Sequence, residues 1–526
     1  MYANDELFAE RENLIKPGPA VFSTEDFGHK GKVYDGWETR RREPGNDHAI
    51  VRLGVPGVVH DVVIGTAWFK GNCPPYASVE ATSVEGPCRS PRGLRIGVGR
   101  AGYWYTAILR EGTMMTNHTA DAGLRTVAGA SATVFRDVRP FGGPAVDLVA
   151  VDGVLADAVP DGAVVEYVDG GGRLALPTLV DTHIHPDKTA WGEPWHSRRP
   201  ARGIAEYVAG DVELHRALPT PVAERARRLM AHAAAQGTRA MRAHADVAPA
   251  YGLKGVIGVA EAREKLRGVL DVQLVAFPQH GVERAPGAAE LLEEAAAGGL
   301  IDAVGGIDPA GFDSGDGTSG ENRQLDLVFG IAERHGLAID IHLHDVGERG
   351  LGPLRDIAAR TEALGLRGKV TISHAFAVAA LSGRELDETA DLLASADIAL
   401  TTVAPSARTV LPFRRLAERG VRVGLGSDGV RDNWSPYGNA DMLHRVWLLG
   451  WTRGVRLDEE LEACFRLAAD GGAELLGLPK ADLRPGAPAD FMLVEGECLP
   501  QVVIDLPRRD VVVRAGRVVA RDGRLV

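Results

Sequence analysis

The chain has 526 residues, of which 45% are hydrophobic, enough for more than one domain. A net charge of −12 and a pI near 5.8 argue against nucleic acid or an anionic membrane as the main partner. No apolar run reaches the ~18 residues that span a bilayer, and four scattered cysteines (Cys73, Cys88, Cys464, Cys498) suit neither a disulfide framework nor a cysteine zinc site.

The N-terminus, Met1 to Glu6, is acidic and lacks a basic-then-apolar leader pattern, so a cytoplasmic protein with reduced thiols is expected. Up to about residue 130 the chain is rich in Gly, Pro and charge, with isolated strand-like runs at 49–53 and 57–64. Two further strand-like runs follow, 146–153 and 163–169. From about 174 to 430, short β-type runs then alternate with helical patterns. The predicted strands are 175–183, 239–247, 270–279, 303–308, 337–344, 369–375, 397–403 and 421–428. The helices between them include 222–230, 288–297, 325–335 and 354–364, and several stop at a glycine (Gly237, Gly336, Gly420).

Eight strands apolar enough to be buried on both faces, alternating with helices, predict an α/β fold of the (β/α)8 TIM-barrel type over 176–482. An open, doubly wound sheet is the alternative that periodicity leaves standing. Segments 131–175 and 483–526, with strand-like runs at 490–494, 510–516 and 517–520, are expected to pair into one small composite β-sandwich.

In such barrels the reactive groups sit at strand C-terminal ends. Read in order, those ends carry His183 and His185, His244 and Asp246, Gln279, Asp308, then His342, His344 and Asp345, then His374, and last Asp428. His183 and His185 are two residues apart on one strand, so both imidazoles point to one face. Imidazoles with one carboxylate suit Zn²⁺ or Fe²⁺ and suit Mg²⁺ poorly. Such a metal brings the pKa of a bound water towards ~7, and a nearby acid must then move protons. Asp345 and Glu348 are the two candidates for that acid.

Taken together, His183-Ile184-His185-Pro186-Asp187-Lys188-Thr189, Val275-Ala276-Phe277-Pro278-Gln279, Ile339-Asp340-Ile341-His342, Ser373-His374 and Gly426-Ser427-Asp428-Gly429-Val430-Arg431-Asp432-Asn433-Trp434 resemble the cytosine deaminase branch of the amidohydrolase superfamily, over about residues 140–526. The resemblance implies His183, His185, His342 and Asp428 as metal ligands, with Asp428 also accepting a proton from the attacking water. It implies His374 against the developing oxyanion, Gln279 orienting the substrate ring, and Trp434 packing near it. Asp345 falls where the family has a glutamate shuttle, which leaves Glu348 in play. Gly429 replaces an acidic residue that cytosine deaminases hold beside the ring. Strand 4 ends in Asp308 with no bridging lysine, which favours one metal, with Asp308 as a substrate contact or an additional ligand.

The implied reaction is hydrolytic deamination of a cytosine-like heterocycle, with ammonia released. Hydrolysis of a cyclic amide or of an N-alkylated triazine-like ring is the alternative within enzymes, and a metal-free binding or scaffold protein is the alternative outside them. The implied partner is a small heterocycle, and a homo-oligomer stays open.

A second resemblance covers about residues 5–83. Tyr34-Asp35-Gly36-Trp37-Glu38-Thr39-Arg40-Arg41, Ile50-Val51-Arg52-Leu53-Gly54-Val55-Pro56-Gly57 and Gly71-Asn72-Cys73-Pro74-Pro75-Tyr76-Ala77-Ser78-Val79-Glu80 are similar to the start of allantoicase. Half of one such domain would leave strand edges and an apolar face uncovered, so residues 1–130 are expected to be poorly ordered and to lack allantoicase activity.

Overall fold

In the computed structural model, eight parallel strands run in sequence order around a barrel: β1 Leu179–Ile184, β2 Thr238–Asp246, β3 Asp271–Phe277, β4 Ala303–Ile307, β5 Ala338–His342, β6 Val370–Ser373, β7 Ala399–Thr402 and β8 Val423–Leu425. The structure describes residues 131–313 and 322–526 and, before them, only four short strands: Tyr2–Ala3, Phe22–Gly28, Gly31–Tyr34 and Ala49–Ile50. The chain divides into two compact units, Met1–Thr126 and Val127–Val526. In the first, Tyr2–Ala3 pairs antiparallel with Ala49–Ile50, and Phe22–Gly28 with Gly31–Tyr34. The strand expected at 57–64, and 51–53 of the one before it, lie outside the described residues.

Every residue of β1, β2 and β4 is buried, including the polar Asp181 and His183 of β1 and Arg239, Arg242, His244 and Asp246 of β2, so burial on both faces here is set by the barrel and not by a purely apolar run. Helices pack outside them, among them Val222–Ala235, Arg323–His335 and Glu348–Ala363. Arg323–His335 ends on Gly336 at φ 69°, a left-handed stop where a Cβ would be strained. Leu229, Met230, Leu325, Val328, Phe329, Leu354 and Ile357 are at most 1% exposed, each contributing about 1.5–3 kcal/mol of burial.

The barrel closes between its first and last strands. The ladder there is one parallel bridge, Ile184 to Asp428, in which the Asp428 N–H donates to the His183 carbonyl at 2.7 Å. β8 itself stops at Leu425, so Asp428 stands in the loop beyond it and not on the strand. Gly426 makes the approach feasible, because a Cβ there would lie 2.5 Å from the His183 Cβ.

The segments flanking the barrel form a second eight-stranded sheet, in the order Arg524–Leu525, Arg517–Arg521, Arg509–Arg514, Phe491–Val494, Val164–Pro177, Ser131–Pro140, Val146–Val151 and Val154–Ala156. Phe491–Val494 pairs antiparallel with the end of Val164–Pro177, joining the two flanks. The sheet encloses its own core, where Phe135 meets Phe491 edge-on at 4.8 Å. The run expected as barrel strand 175–183 is in fact two strands. Pro177 ends one and Leu179 starts the other, with the Thr178 N–H turned onto the Asp490 carbonyl. Ser131–Pro140, absent from the sequence-based strand set, pairs with two neighbours in this sheet. Among the described residues no helix is long and apolar enough to cross a membrane.

Candidate active site

Five histidines converge at the C-terminal mouth of the barrel. His183 closes on His244, His342 and His374 with ring centroids 4.1, 4.6 and 4.9 Å away, and on His185 at 5.1 Å. None of the five is more than 4% exposed. Burial, then mutual repulsion with neighbouring cations, holds His183, His342 and His374 well below the ordinary imidazole pKa, and His185 likewise by burial and Lys188. Neutral rings with free lone pairs result, the form in which imidazole binds metal.

The donors fit a divalent metal. Nε2 of His185 and of His342 face each other at 3.3 Å, while Asp428 Oδ1 lies 3.5 Å from His185 Nε2 and 3.7 Å from His183 Nε2. Metal–nitrogen bonds of about 2.0–2.1 Å in a tetrahedron set donors roughly 3.3–3.4 Å apart, so these edges are close to what Zn²⁺ or Fe²⁺ imposes. Among the described residues, His183 Nε2 and both ring nitrogens of His374 have no hydrogen-bond partner, an unfavourable state for buried polar atoms unless a ligand completes them. Sets that share donor distances include His183 with His185 and His244, and His183 with His342 and His374. His244, on β2, is thus a sixth group at the centre, and the sequence marked it only as a rim residue.

Backbone detail holds the donors in place. The Asp181 carboxylate accepts the N–H of His183 at 3.2 Å and of Ser427 at 2.9 Å, stapling β1 to the Asp428 loop. Asp428 and His374 have φ of 61° and 69°, left-handed conformations that turn each side chain off its strand axis. His342 stacks on Phe277, centroids 3.8 Å apart, which fixes its ring plane.

The predicted proton carriers differ in setting. Glu348 opens the helix Glu348–Ala363, is three-quarters exposed and pairs with Arg355. The Asp345 carboxyl packs against Gly311, whose N–H it accepts, and burial with the Asp308 charge pushes it up to about 6. Glu348 makes its contact with Arg355 at the helix start, while the Asp345 charge acts on the neighbouring His344 ring. His344 is half-buried, with its ring 4.3 Å from His374 and 5.8 Å from His342. Asp308 holds His344 by two bonds, 2.6 Å to its N–H and 2.8 Å to Nδ1, and also accepts the Asp345 N–H at 3.1 Å. Burial lowers the His344 pKa, but the Asp308 carboxylate outweighs it and leaves the ring above its ordinary value. Asp308 therefore serves His344 in this structure, and among the described residues it is in none of the groups whose donors lie close enough to share a metal.

Gln279 and Trp434 meet in a second buried array. Lys188 Nζ donates to Asp246 at 3.1 Å and to the Gln279 carbonyl oxygen. Gln279 Nε2 and Trp434 Nε1 both donate to Asp211 Oδ2 at 2.5 Å, and Trp434 stacks on Tyr207. Asp211 sits on the helix Ile204–Ala217 and is fully buried; burial raises its carboxyl to about 6, and those of Asp187 and Asp432 to about 7. Sequence reasoning missed Asp211, although an acid three residues after Val208 on the apolar face of that helix was a usable signal. At Gly429, a Cβ would come 2.2 Å from the Asp432 carboxylate, so Asp432 fills the space a side chain at 429 would take.

Comparison with known proteins accords with this arrangement. The amidohydrolase family profile matches residues 166–526, and the allantoicase repeat matches residues 1–123. The crystal structure of N-isopropylammelide isopropylaminohydrolase from Burkholderia multivorans is 37% identical, with a TM-score of 0.69 over 75% of this chain and 100% of that one. A 5-methylcytosine deaminase from Klebsiella pneumoniae shares the fold at 24% identity and a TM-score of 0.61, over 74% and 98% of the two chains. A probable allantoicase from Nocardia farcinica is 56% identical over 88 residues, which are 16% of this chain and 27% of that protein. The chain thus spans about a quarter of that allantoicase relative.

Proposed function

The chain belongs to the amidohydrolase family and is a hydrolase of carbon–nitrogen bonds other than peptide bonds; from that premise we propose that it removes an exocyclic amine from a small, planar nitrogen heterocycle. The carrying observation is the juxtaposition of two unlike sets: imidazoles with unpartnered nitrogens, and beside them a fixed array of donors and acceptors suited to a ring's amide edge.

His183, His185, His342 and Asp428 would hold one divalent metal, Zn²⁺ or Fe²⁺. When bound, it supplies a Lewis acid that makes water nucleophilic near neutral pH. Asp428, whose carboxylate edges the imidazoles, accepts the proton of the attacking water. His374 donates towards the oxygen added to the ring carbon that carries the departing amine. His344, whose pKa the Asp308 carboxylate raises, gives its proton to the departing nitrogen, and Asp345 stays behind it. Gln279 and Lys188 orient the ring, with Trp434 closing one side.

Ammonia is the leaving group of the first reading, as in deamination of a cytosine-like ring. An alkylamine leaving group is the second, favoured by a specific observation: Gly429 with Asp432 folded against it departs from the cytosine deaminase pattern, and the 37% identical enzyme removes isopropylamine. A screen over cytosine, isocytosine, creatinine, aminotriazines and N-isopropylammelide, scoring ammonia and isopropylamine separately, decides between them. Ring opening with neither amine released sinks both.

A further inference from the structure

His183 is backed by a chain of buried side chains that leads away from the mouth. Its Nδ1 lies 2.9 Å from Ser373 Oγ, Ser373 Oγ lies 2.6 Å from Asp340 Oδ1, and Asp340 Oδ2 accepts from Arg242 Nη1 at 3.0 Å. Ser373 and Asp340 are fully buried and Arg242 is 5% exposed. Arg242 is held in turn by Thr371 Oγ1 at 2.7 Å and by Gln273 Oε1 at 2.9 Å.

The direction of each bond follows from what the groups can offer. A guanidinium only donates, so the Asp340 facing it is an ionised carboxylate and only accepts. Ser373 has one hydrogen and must give it to Asp340, since two oxygens 2.6 Å apart with no hydrogen between them would repel. The Ser373 oxygen then has only a lone pair to show His183, so Nδ1 of His183 carries the ring's hydrogen. A neutral imidazole has one N–H, which leaves Nε2 bare, and that is the nitrogen facing Asp428.

We propose that Arg242, Asp340 and Ser373 form a positioning relay that locks His183 in the Nδ1–H tautomer and so presents Nε2 to the metal. The proposal rests on the reading that the imidazole cluster holds a divalent metal. The chain of contacts passes from β1 through β6 and β5 to β2, which pairs with β1, so a residue deeper in the barrel governs a donor at the mouth. His185, by contrast, has no partner for its Nδ1. The two imidazoles of one motif therefore differ in how tightly their tautomers are set.

Two measurements on the full-length protein test it. In metal-free wild type labelled with ¹⁵N-histidine, NMR should show His183 protonated at Nδ1; an Nε2–H signal overturns the relay, and no variant is needed. In Ser373→Ala, Zn²⁺ affinity by chelator competition should fall about 10–100-fold, the range for losing an outer-sphere partner, while the metal-free melting temperature stays near wild type. Wild-type uptake of Zn²⁺ with undiminished affinity in Ser373→Ala overturns the relay alone. A wild type that takes up neither Zn²⁺ nor Fe²⁺ overturns the metal reading on which it rests.

Discussion

The imidazole cluster and the Lys188 array are neighbours of equal burial and opposite character. Ring nitrogens in the first have no partner, while in the second Lys188, Gln279 and Trp434 each donate to a carboxylate or amide oxygen. The first offers bare ring nitrogens; the second is cross-linked by these donors, although one oxygen each of Asp187, Asp211 and Asp432 has no hydrogen-bond partner among the described residues. Lone pairs in the cluster are available because burial keeps the rings neutral, whereas in the array Lys188 pairs with Asp246 at 3.1 Å and stands 4.0 Å from Asp211, whose carboxyl burial still raises to about 6. Reactivity and rigidity are thus separated by a few ångströms, and substitutions should act differently on each.

The largest effect is expected in the cluster. His183→Ala or Asp428→Ala should abolish turnover and lower bound metal with little change in the metal-free melting temperature; activity in either variant would mean that the ligand set is wrong. Next comes the shuttle. His344→Gln should reduce kcat by roughly 10²–10⁴-fold with metal retained, Asp345→Asn by less, and Glu348→Gln hardly at all. A larger loss in Glu348→Gln, measured in the same assay, would show that a surface carboxylate reaches the substrate after all.

The array should respond in stability first. Lys188→Met leaves buried carboxylates unpaired, and the denaturation midpoint should report a loss of roughly 3–5 kcal/mol. An unchanged midpoint with raised KM would instead make Lys188 a pure substrate contact. The smallest effect is a pH trend. Asp211 is raised from the ordinary 3.8 to about 6, so the folded state binds its proton more tightly than the unfolded chain does. Its contribution to stability therefore declines as pH rises from 3.8 to about 6 and is flat above. In Asp211→Asn that slope is missing, so the stability gap between wild type and variant should be widest near pH 4 and narrow towards pH 7. A gap that widens with pH contradicts the burial argument.

The barrel was legible in the sequence because short β-type runs alternate regularly with helices, and those helices carry an apolar stripe. Strand ends were less so. β8 stops at Leu425 because closure, a long-range event, turns the chain towards β1, and period alone shows nothing of that. Of the site, His183, His185, His342 and Asp428 are linked by ring-nitrogen and carboxylate distances of 3.3–3.7 Å, and strand-end position is what made them visible in the sequence. The shuttle was harder to read. His344 and Asp345 are adjacent, and which one faces His374 depends on the Asp308 turn, a contact 36 residues away in sequence. Asp211 and Asp340 were hidden for a related reason: each looks like an ordinary acid until its buried partners are placed.

The barrel's seam would give a metal bound at the proposed ligands a second office. First and last strands meet through one bridge, at the residues that would ligate it, so an ion joining His183 and His185 to Asp428 rivets the cylinder shut. Maturation would then be an assembly step: a newly made chain carries a loose stave until it is loaded. Amide exchange around Ile184 and Asp428 should slow on Zn²⁺ addition more than exchange at the β3–β4 junction does, even when no substrate is present.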